Sequence, residues 1–162
     1  MNVTTIVHAK FPDDTNEVVS IFREYVASPT ANLDFQNFEC EFASLPGKYA
    51  EPDGRIALAR QQNSVVGCAA LRRVNSSTCE LKRVYVRPSV RGNNIGRQLV
   101  EHMINEARQQ GYSRMCLDVL PEFTAAQNLY KSLGFTSSEA VSYNPVPVPV
   151  PVPGTKFLAL YL

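Results

Sequence analysis

Residues 79–97, C-E-L-K-R-V-Y-V-R-P-S-V-R-G-N-N-I-G-R, constrain the fold more than any other part of the chain. They begin as a strand pattern rich in β-branched and aromatic residues, which Pro88 closes. They then turn through Arg91-Gly92-Asn93-Asn94-Ile95-Gly96 into the most regular helical pattern in the sequence. That helix, expected over Ile95–Gln110, carries Ile95, Leu99, Val100, Met103, Ile104 and Ala107 on the 3.6-residue period and is stopped by Gly111. A strand that delivers the chain to a helix start leaves unpaired N–H groups and the positive dipole end at the turn, which together make an anion site. Gly92 and Gly96 let an anion reach the backbone, and Asn93 and Asn94 are among the side chains that best tolerate left-handed conformations.

The flanking patterns supply a sheet for this unit. Val3–Ala9 reads as a first strand, and Asp13 and Asp14 open a helix with Val18, Ile21, Phe22, Tyr25 and Val26 on one face, stopped by Pro29. A second amphipathic segment, capped by Asp34, places Phe35, Phe38, Phe42 and Leu45 on a stripe that is expected to be core. Arg55–Arg60 and Val65–Arg72 form a hairpin through Gln62-Asn63-Ser64, and Cys79–Val86 is the next strand. After the strong helix come a strand at Ser113–Leu120, a helix at Phe123–Leu133 ended by Gly134, and closing strands at Phe135–Tyr143 and Lys156–Leu162. This order predicts an α/β (α+β) domain: a mixed, mostly antiparallel sheet of about seven strands flanked by about four helices. All 162 residues form one domain, with a Pro-Val repeat loop at 145–153.

Composition excludes several function classes. Sixteen basic against fifteen acidic residues give a net charge of +1, too small for nucleic-acid or membrane binding by bulk charge. No apolar run approaches the roughly 18–20 residues of a membrane span, and the first residues lack the order of a signal peptide, so a cytoplasmic domain is expected. The cysteines, Cys40, Cys68, Cys79 and Cys116, form no C-x-x-C pair and lie in apolar stretches that suit buried thiols. His8 and His102 are the only histidines, and no metal is expected. Charge is nevertheless divided along the chain: residues 72–97 carry a net +6 and residues 10–55 a net −5.

The turn at 91–97 fits neither common nucleotide motif. A P-loop needs G-x-x-x-x-G-K-[ST], whereas Gly96 comes one place early and is followed by Arg97. A dinucleotide fingerprint needs glycines where Asn94 and Arg97 stand, although Asp118 lies at the distance of that fold's ribose-binding acid. Arg91 to Gly96 instead matches [QR]-x-x-G-x-[GA] with Asn94 at the place of the usual glycine, and this resembles the acetyl-CoA signature of the GNAT-type N-acetyltransferases. E-L-K-R-V-Y-V-R-P resembles the family's fourth strand and A-A-Q-N-L-Y-K-S-L-G-F its last helix. The ending Y-N-P-V-P, extended by further Val-Pro pairs before Gly154, is similar to a bacterial subgroup ending in Y-N-P-V-P-G.

The resemblance implies an acyltransferase that moves an acetyl group from acetyl-CoA, a co-substrate, to a primary amine of a small molecule or peptide in a ternary complex. A catalytically silent acyl-CoA sensor of the same fold is the alternative. By resemblance, the backbone of Val84, Tyr85 and Val86 pairs with the pantetheine arm, an N–H near Val84 polarises the acetyl carbonyl, and Arg91, Gly92, Asn93, Asn94, Ile95, Gly96 and Arg97 bind the pyrophosphate. Tyr130 falls on the tyrosine that faces the sulfur and serves as acid to the departing thiolate; packing in the core is the other reading of it. Glu80 falls on the glutamate that takes the amine's proton; a salt bridge to Lys82 or an arginine is the other reading. Asp118 and Tyr143 line the acceptor side or serve the fold.

Two features bear on partners. The acidic segment 10–55, on the side where the acceptor enters, favours a cationic amine unless it is simply a solvated face. Pro145–Pro153 would span about 28 Å as polyproline II, at roughly 3.1 Å per residue. In an extended arrangement its Val N–H groups leave one pairing edge, which allows a homodimer.

Overall fold

The computed structural model describes residues 3–29, 38–139 and 152–162. The elements are β1 (Thr4–His8), α1 (Thr15–Ala27), α2 (Phe38–Ala43), β2 (Arg55–Gln61), β3 (Ser64–Arg73), β4 (Thr78–Val86), α3 (Ile95–Gln109), β5 (Arg114–Val119), α4 (Thr124–Ser132), β6 (Thr136–Ser137) and β7 (Lys156–Tyr161). One seven-stranded sheet runs β1-β2-β3-β4-β5-β7-β6, antiparallel throughout except between β4 and β5. The parallel pair is possible because α3 carries the chain back across the sheet between them. Among the described residues no helix is long and apolar enough to cross a membrane.

Helices cover both faces. α3 buries the six residues its periodicity singles out and packs against Ala57, Ala59, Ala69, Leu71, Cys79 and Leu81. Small strand residues let it come close: a Cβ on Gly67 would stand 2.9 Å from the Tyr85 carbonyl and 3.1 Å from Leu99 Cδ1. On the other face α1 and α2 set Val18, Ile21, Phe22 and Phe42 against Ile56, Leu58, Val65, Cys68, Ala70 and Tyr85. This two-sided cover explains why β3 reads as a continuous apolar run instead of an alternation.

Two expectations need correction. The closing strand predicted at Phe135–Tyr143 is only Thr136–Ser137 among the described residues, because Phe135 is buried against Tyr130 and anchors the chain under α4. Cys40 is exposed, whereas Cys68, Cys79 and Cys116 are buried. It lies two positions before Phe42, which turns it to the opposite side of α2. Asp34, Phe35, Tyr143 and nearly all of the Pro-Val repeat lie outside the described residues.

Candidate active site

The parallel strands β4 and β5 pair over only three residues, Thr78↔Arg114, Cys79↔Met115 and Glu80↔Cys116. Beyond them β5 continues to pair with β7 and β4 with β3, so Leu81–Val86 and Leu117–Val119 face each other across an open wedge. A bulge in β4 accompanies the opening. Cys68 pairs with Tyr85 but Ala70 with Lys82, which leaves one extra residue on β4, and Arg83 takes φ +59°. A bulge bends its strand and increases the local twist, here where β4 parts from β5. The wedge exposes the backbone of β4 as an edge that an extended ligand can pair with.

At the end of that edge the chain turns into α3. Asn94 adopts the left-handed conformation at φ +61° and Gly92 a positive φ of +87°. The first bond of the helical ladder runs from Gln98 N–H to the Asn94 carbonyl at 3.0 Å, so the N–H groups of Ile95, Gly96 and Arg97 precede it. No acidic residue occupies the first turn. A Cβ on Gly92 would meet nothing within 4 Å, and one on Gly96 would touch Leu129 and Val86 at 3.7 Å, so the helix start is open on its outer side. Arg91 donates from Nε to the Val86 carbonyl at 2.9 Å and lies 5.6 Å over the Tyr85 ring. Of the seven cations at 72–97, it alone has no carboxylate partner among the described residues. The Asn93 amide caps Val90 O at 2.9 Å, and Arg97 holds Ser132 at the end of α4 and Glu101. Side chains at this turn fix its shape and leave the N–H groups of Ile95, Gly96 and Arg97 uncapped.

The face covered by α1 and α2 carries charge. Arg83 is 4% exposed and makes a two-pronged pair with Glu41, Nε to Oε2 at 3.1 Å and Nη2 to Oε1 at 3.0 Å, while stacking on Phe38. Glu41 also accepts from the Tyr49 hydroxyl at 2.9 Å and pairs with Lys48 at 3.1 Å. Burial pushes the Glu41 carboxyl up, but Arg83 and Lys48 outweigh it and hold it below the usual carboxylate range. Glu80 is 4% exposed and takes Arg72 at 2.9 Å and Lys82 at 3.6 Å on Oε1. Lys48 is lowered by burial and next by the charge of Lys82, so the two ammonium groups feel each other.

Tyr130 projects from α4 into the core, 5% exposed, with its ring 5.6 Å from Phe135. Burial, followed by Tyr25 and Asp118, raises its phenol, which therefore keeps its proton throughout the neutral range. Asp118 also acts on Tyr25 and Cys116, and Glu80 acts on Cys116. These mutual influences put Tyr130, Tyr25, Asp118, Cys116 and Glu80 within electrostatic reach of one another. The Cys116 thiol is pushed up to about 12 by burial and then by Glu80, so it is not a nucleophile at neutral pH.

The structure thus gathers Val84, Tyr85 and Val86 on the open strand and Arg91 through Arg97 at the helix start. Glu80 sits at the last paired position, and Tyr130 lies in the core cluster under α3. Sequence reasoning missed the Glu41–Arg83–Tyr49–Lys48 cluster. Its signal was slight: a carboxylate one place before Phe42 on a short amphipathic helix. The acidity of 10–55 also acquires a different meaning. Asp14 and Glu17 pair with Arg60, Glu24 with Arg87, Glu39 with Arg23, Glu41 with Arg83, Glu51 with Arg55 and Asp53 with Arg73. Asp14, Glu17, Glu24, Glu41 and Asp53 thus pair with arginines outside the segment, which offsets much of its excess negative charge within the molecule.

Known proteins share both sequence and architecture. Residues 18–135 match the model of the acetyltransferase (GNAT) family. An uncharacterised N-acetyltransferase of Schizosaccharomyces pombe is 37% identical, covering 88% of each chain, and one of Dictyostelium discoideum is 32% identical over 82% of this chain and 90% of its own. A GNAT-family acetyltransferase from Staphylococcus aureus superposes with a TM-score of 0.78 at 19% identity, covering 98% of this chain and 99% of its own. A Salmonella typhimurium protein described as a putative acetyltransferase with its cofactor acetyl-CoA superposes with a TM-score of 0.71 at 23% identity, covering 98% of this chain and 94% of its own. With a family match over most of the chain and relatives of this identity, the protein is a member of the GNAT acetyltransferase family.

Proposed function

We propose that the protein transfers the acetyl group of acetyl-CoA to the primary amine of a small acceptor that also carries a carboxylate, by direct attack in a ternary complex. The observation that carries the reading is the wedge that opens after three residue pairs and ends at an uncapped helix start. An extended pantetheine arm suits the free edge of Val84, Tyr85 and Val86, and a pyrophosphate suits the N–H groups of Ile95, Gly96 and Arg97 beside Arg91. Neighbours of the same fold described with acetyl-CoA support this donor.

In this reading the amine lone pair forms a C–N bond to the acetyl carbon, the carbonyl being polarised by an N–H near Val84. The C–S bond breaks and the sulfur leaves as thiolate. Tyr130, whose phenol holds its proton well above a thiol's pKa of about 8.5, donates a hydrogen bond to that sulfur, and solvent completes its protonation. The alkylammonium, of pKa about 10, passes its proton through Glu80 to water; the cations on Glu80 make it a relay and not a final acceptor. An inert Cys116 at the wedge supports direct transfer over an acyl-enzyme.

Charge supports the acceptor's carboxylate. Among the described residues Oε1 of Glu80 serves both Arg72 and Lys82, and Oε1 of Glu41 serves both Arg83 and Lys48. Lys48 and Lys82, each close enough to feel the other's charge, favour an anionic group between them. Acetyl-CoA binding by calorimetry, followed by thiol release with paired acceptors, tests the reading. Amino acids should turn over and their decarboxylated amines should be at least about 10-fold poorer, while Tyr130→Phe should lower kcat about 10²-fold or more with acetyl-CoA affinity retained. Binding without turnover on any amine, unchanged by Tyr130→Phe, would favour an acyl-CoA sensor.

A further inference from the structure

His8, His102 and Glu106 stand together where α3 meets the edge strand β1, two strands removed from β4 and its wedge. His8 ends the edge strand β1, and His102 and Glu106 are four residues apart on one side of α3. We propose that these three residues bind one divalent transition-metal ion of the zinc type and so tie the edge strand to the helix.

The geometry is that of a ligand set. His8 Nε2 and His102 Nε2 are 2.9 Å apart, and Glu106 Oε1 lies 3.5 Å from the first and 3.9 Å from the second. A triangle with these sides has a point about 2.0 Å from all three corners, and zinc binds imidazole nitrogen and carboxylate oxygen at about 2.0–2.2 Å. The rings meet edge to face, at 67° with centroids 5.0 Å apart, so neither covers the space between the donors. The side chains are 34%, 27% and 15% exposed, which gives an ion access and leaves a further coordination position to water.

The surroundings suit this ion. Arg55 of β2 forms an ion pair with Glu106 Oε2 at 3.4 Å and leaves Oε1 to face the imidazoles. Glu51 pairs with Arg55 in turn, so the charged groups facing the site sum to one negative charge before the ion arrives. Two imidazoles and one carboxylate favour zinc, nickel, copper or cobalt over magnesium or calcium, which prefer all-oxygen sets. In sequence the ligands are 94 residues apart and show no metal motif; only the docking of α3 beneath β1 brings them together.

The test uses the full chain in a Cys40→Ser background, which removes the exposed thiol as a competing ligand. After chelator treatment, Zn²⁺ is titrated by calorimetry, Co²⁺ by visible absorption, and the melting temperature is read with and without Zn²⁺. The expected result is one ion per chain and a rise of about 5–10 °C at an ion concentration 100-fold above the dissociation constant. Both should be lost in His102→Gln and in His8→Gln, while circular dichroism shows the variants folded. Absence of one-to-one binding would reduce the cluster to a hydrogen bond between two imidazoles and overturn the proposal. Binding that survives replacement of both histidines would overturn it equally, by moving the ion elsewhere. Acetyl-CoA plays no part in these readouts, so they stand apart from the proposed reaction.

Discussion

The two sides of the wedge are built on opposite principles. At the α3 end, one contiguous turn, 91–97, presents the backbone N–H groups of Ile95, Gly96 and Arg97, and its side chains mostly hold the turn in shape. On the α1–α2 face, residues 41, 48, 49, 72, 80, 82 and 83 come from α2, the following turn and two strands, and they present charge. A contiguous backbone site is specified by local chemistry and suits a ligand part that never changes. A site assembled from distant side chains can change its preference through one substitution without disturbing the turn. In the proposed reaction the first would serve the donor and the second the acceptor.

The largest test of the contrast is Glu41→Ala. It leaves Arg83 buried without its two-pronged partner, and loss of one member of a buried pair typically destabilises by about 3–5 kcal/mol. Urea unfolding should record that loss, because the bulge conformation of Arg83 is held by this contact. A variant as stable as wild type would mean that the cluster is dispensable to the fold.

Gly96→Asp probes the backbone side. Its Cβ fits at 3.7 Å from Leu129 and Val86, and a carboxylate in a helix's first turn is favourable to the helix by about 0.3–1 kcal/mol. The same charge opposes a pyrophosphate, so acetyl-CoA affinity should fall about 10²-fold while the melting temperature holds or rises, the fall corresponding to about 2.7 kcal/mol. If affinity survives, the phosphate lies elsewhere and the turn is only structural.

Smaller effects are expected on the charged face. Lys48→Met should raise KM for a carboxylate-bearing acceptor about 10-fold with kcat nearly unchanged, as for uniform binding energy. Equal effects on an amine without the carboxylate would remove the charge argument. Acid should reveal Glu41 as well. Its folded pKa lies below the ordinary carboxylate value, so its stabilisation is complete above that value and is lost as pH falls through the folded pKa. Denaturation midpoints between pH 6 and 3 should decline more steeply for wild type than for Glu41→Gln, the two curves converging in acid.

Much of this molecule was legible in its sequence, for identifiable reasons. The core face of α3 was read residue for residue, because a long amphipathic helix repeats its signal over four turns. The turn at Arg91–Gly96 was legible because glycine and asparagine reveal backbone conformation directly, and Asn94 indeed adopts a positive φ. The last helix was read from its own pattern and its Gly134 stop, and Tyr130 was singled out on it by likeness to a family. The closing strand was over-extended because Phe135 looks alike as a strand residue and as an anchor.

The sequence by itself therefore determined most of the elements, their order and the turn that opens α3, since all of these follow from periodicity and backbone preference within a few residues. Tertiary structure alone decided the rest. How far β4 and β5 run together depends on a bulge at Arg83, whose strained backbone is sustained by Glu41, 42 residues away. Whether Glu80 is paired, whether the acidic segment faces solvent or arginines, and whether His8 meets His102 are all questions of which strand or helix lies opposite. Charge has no period and acts through space, so its partners are fixed only when the layers close.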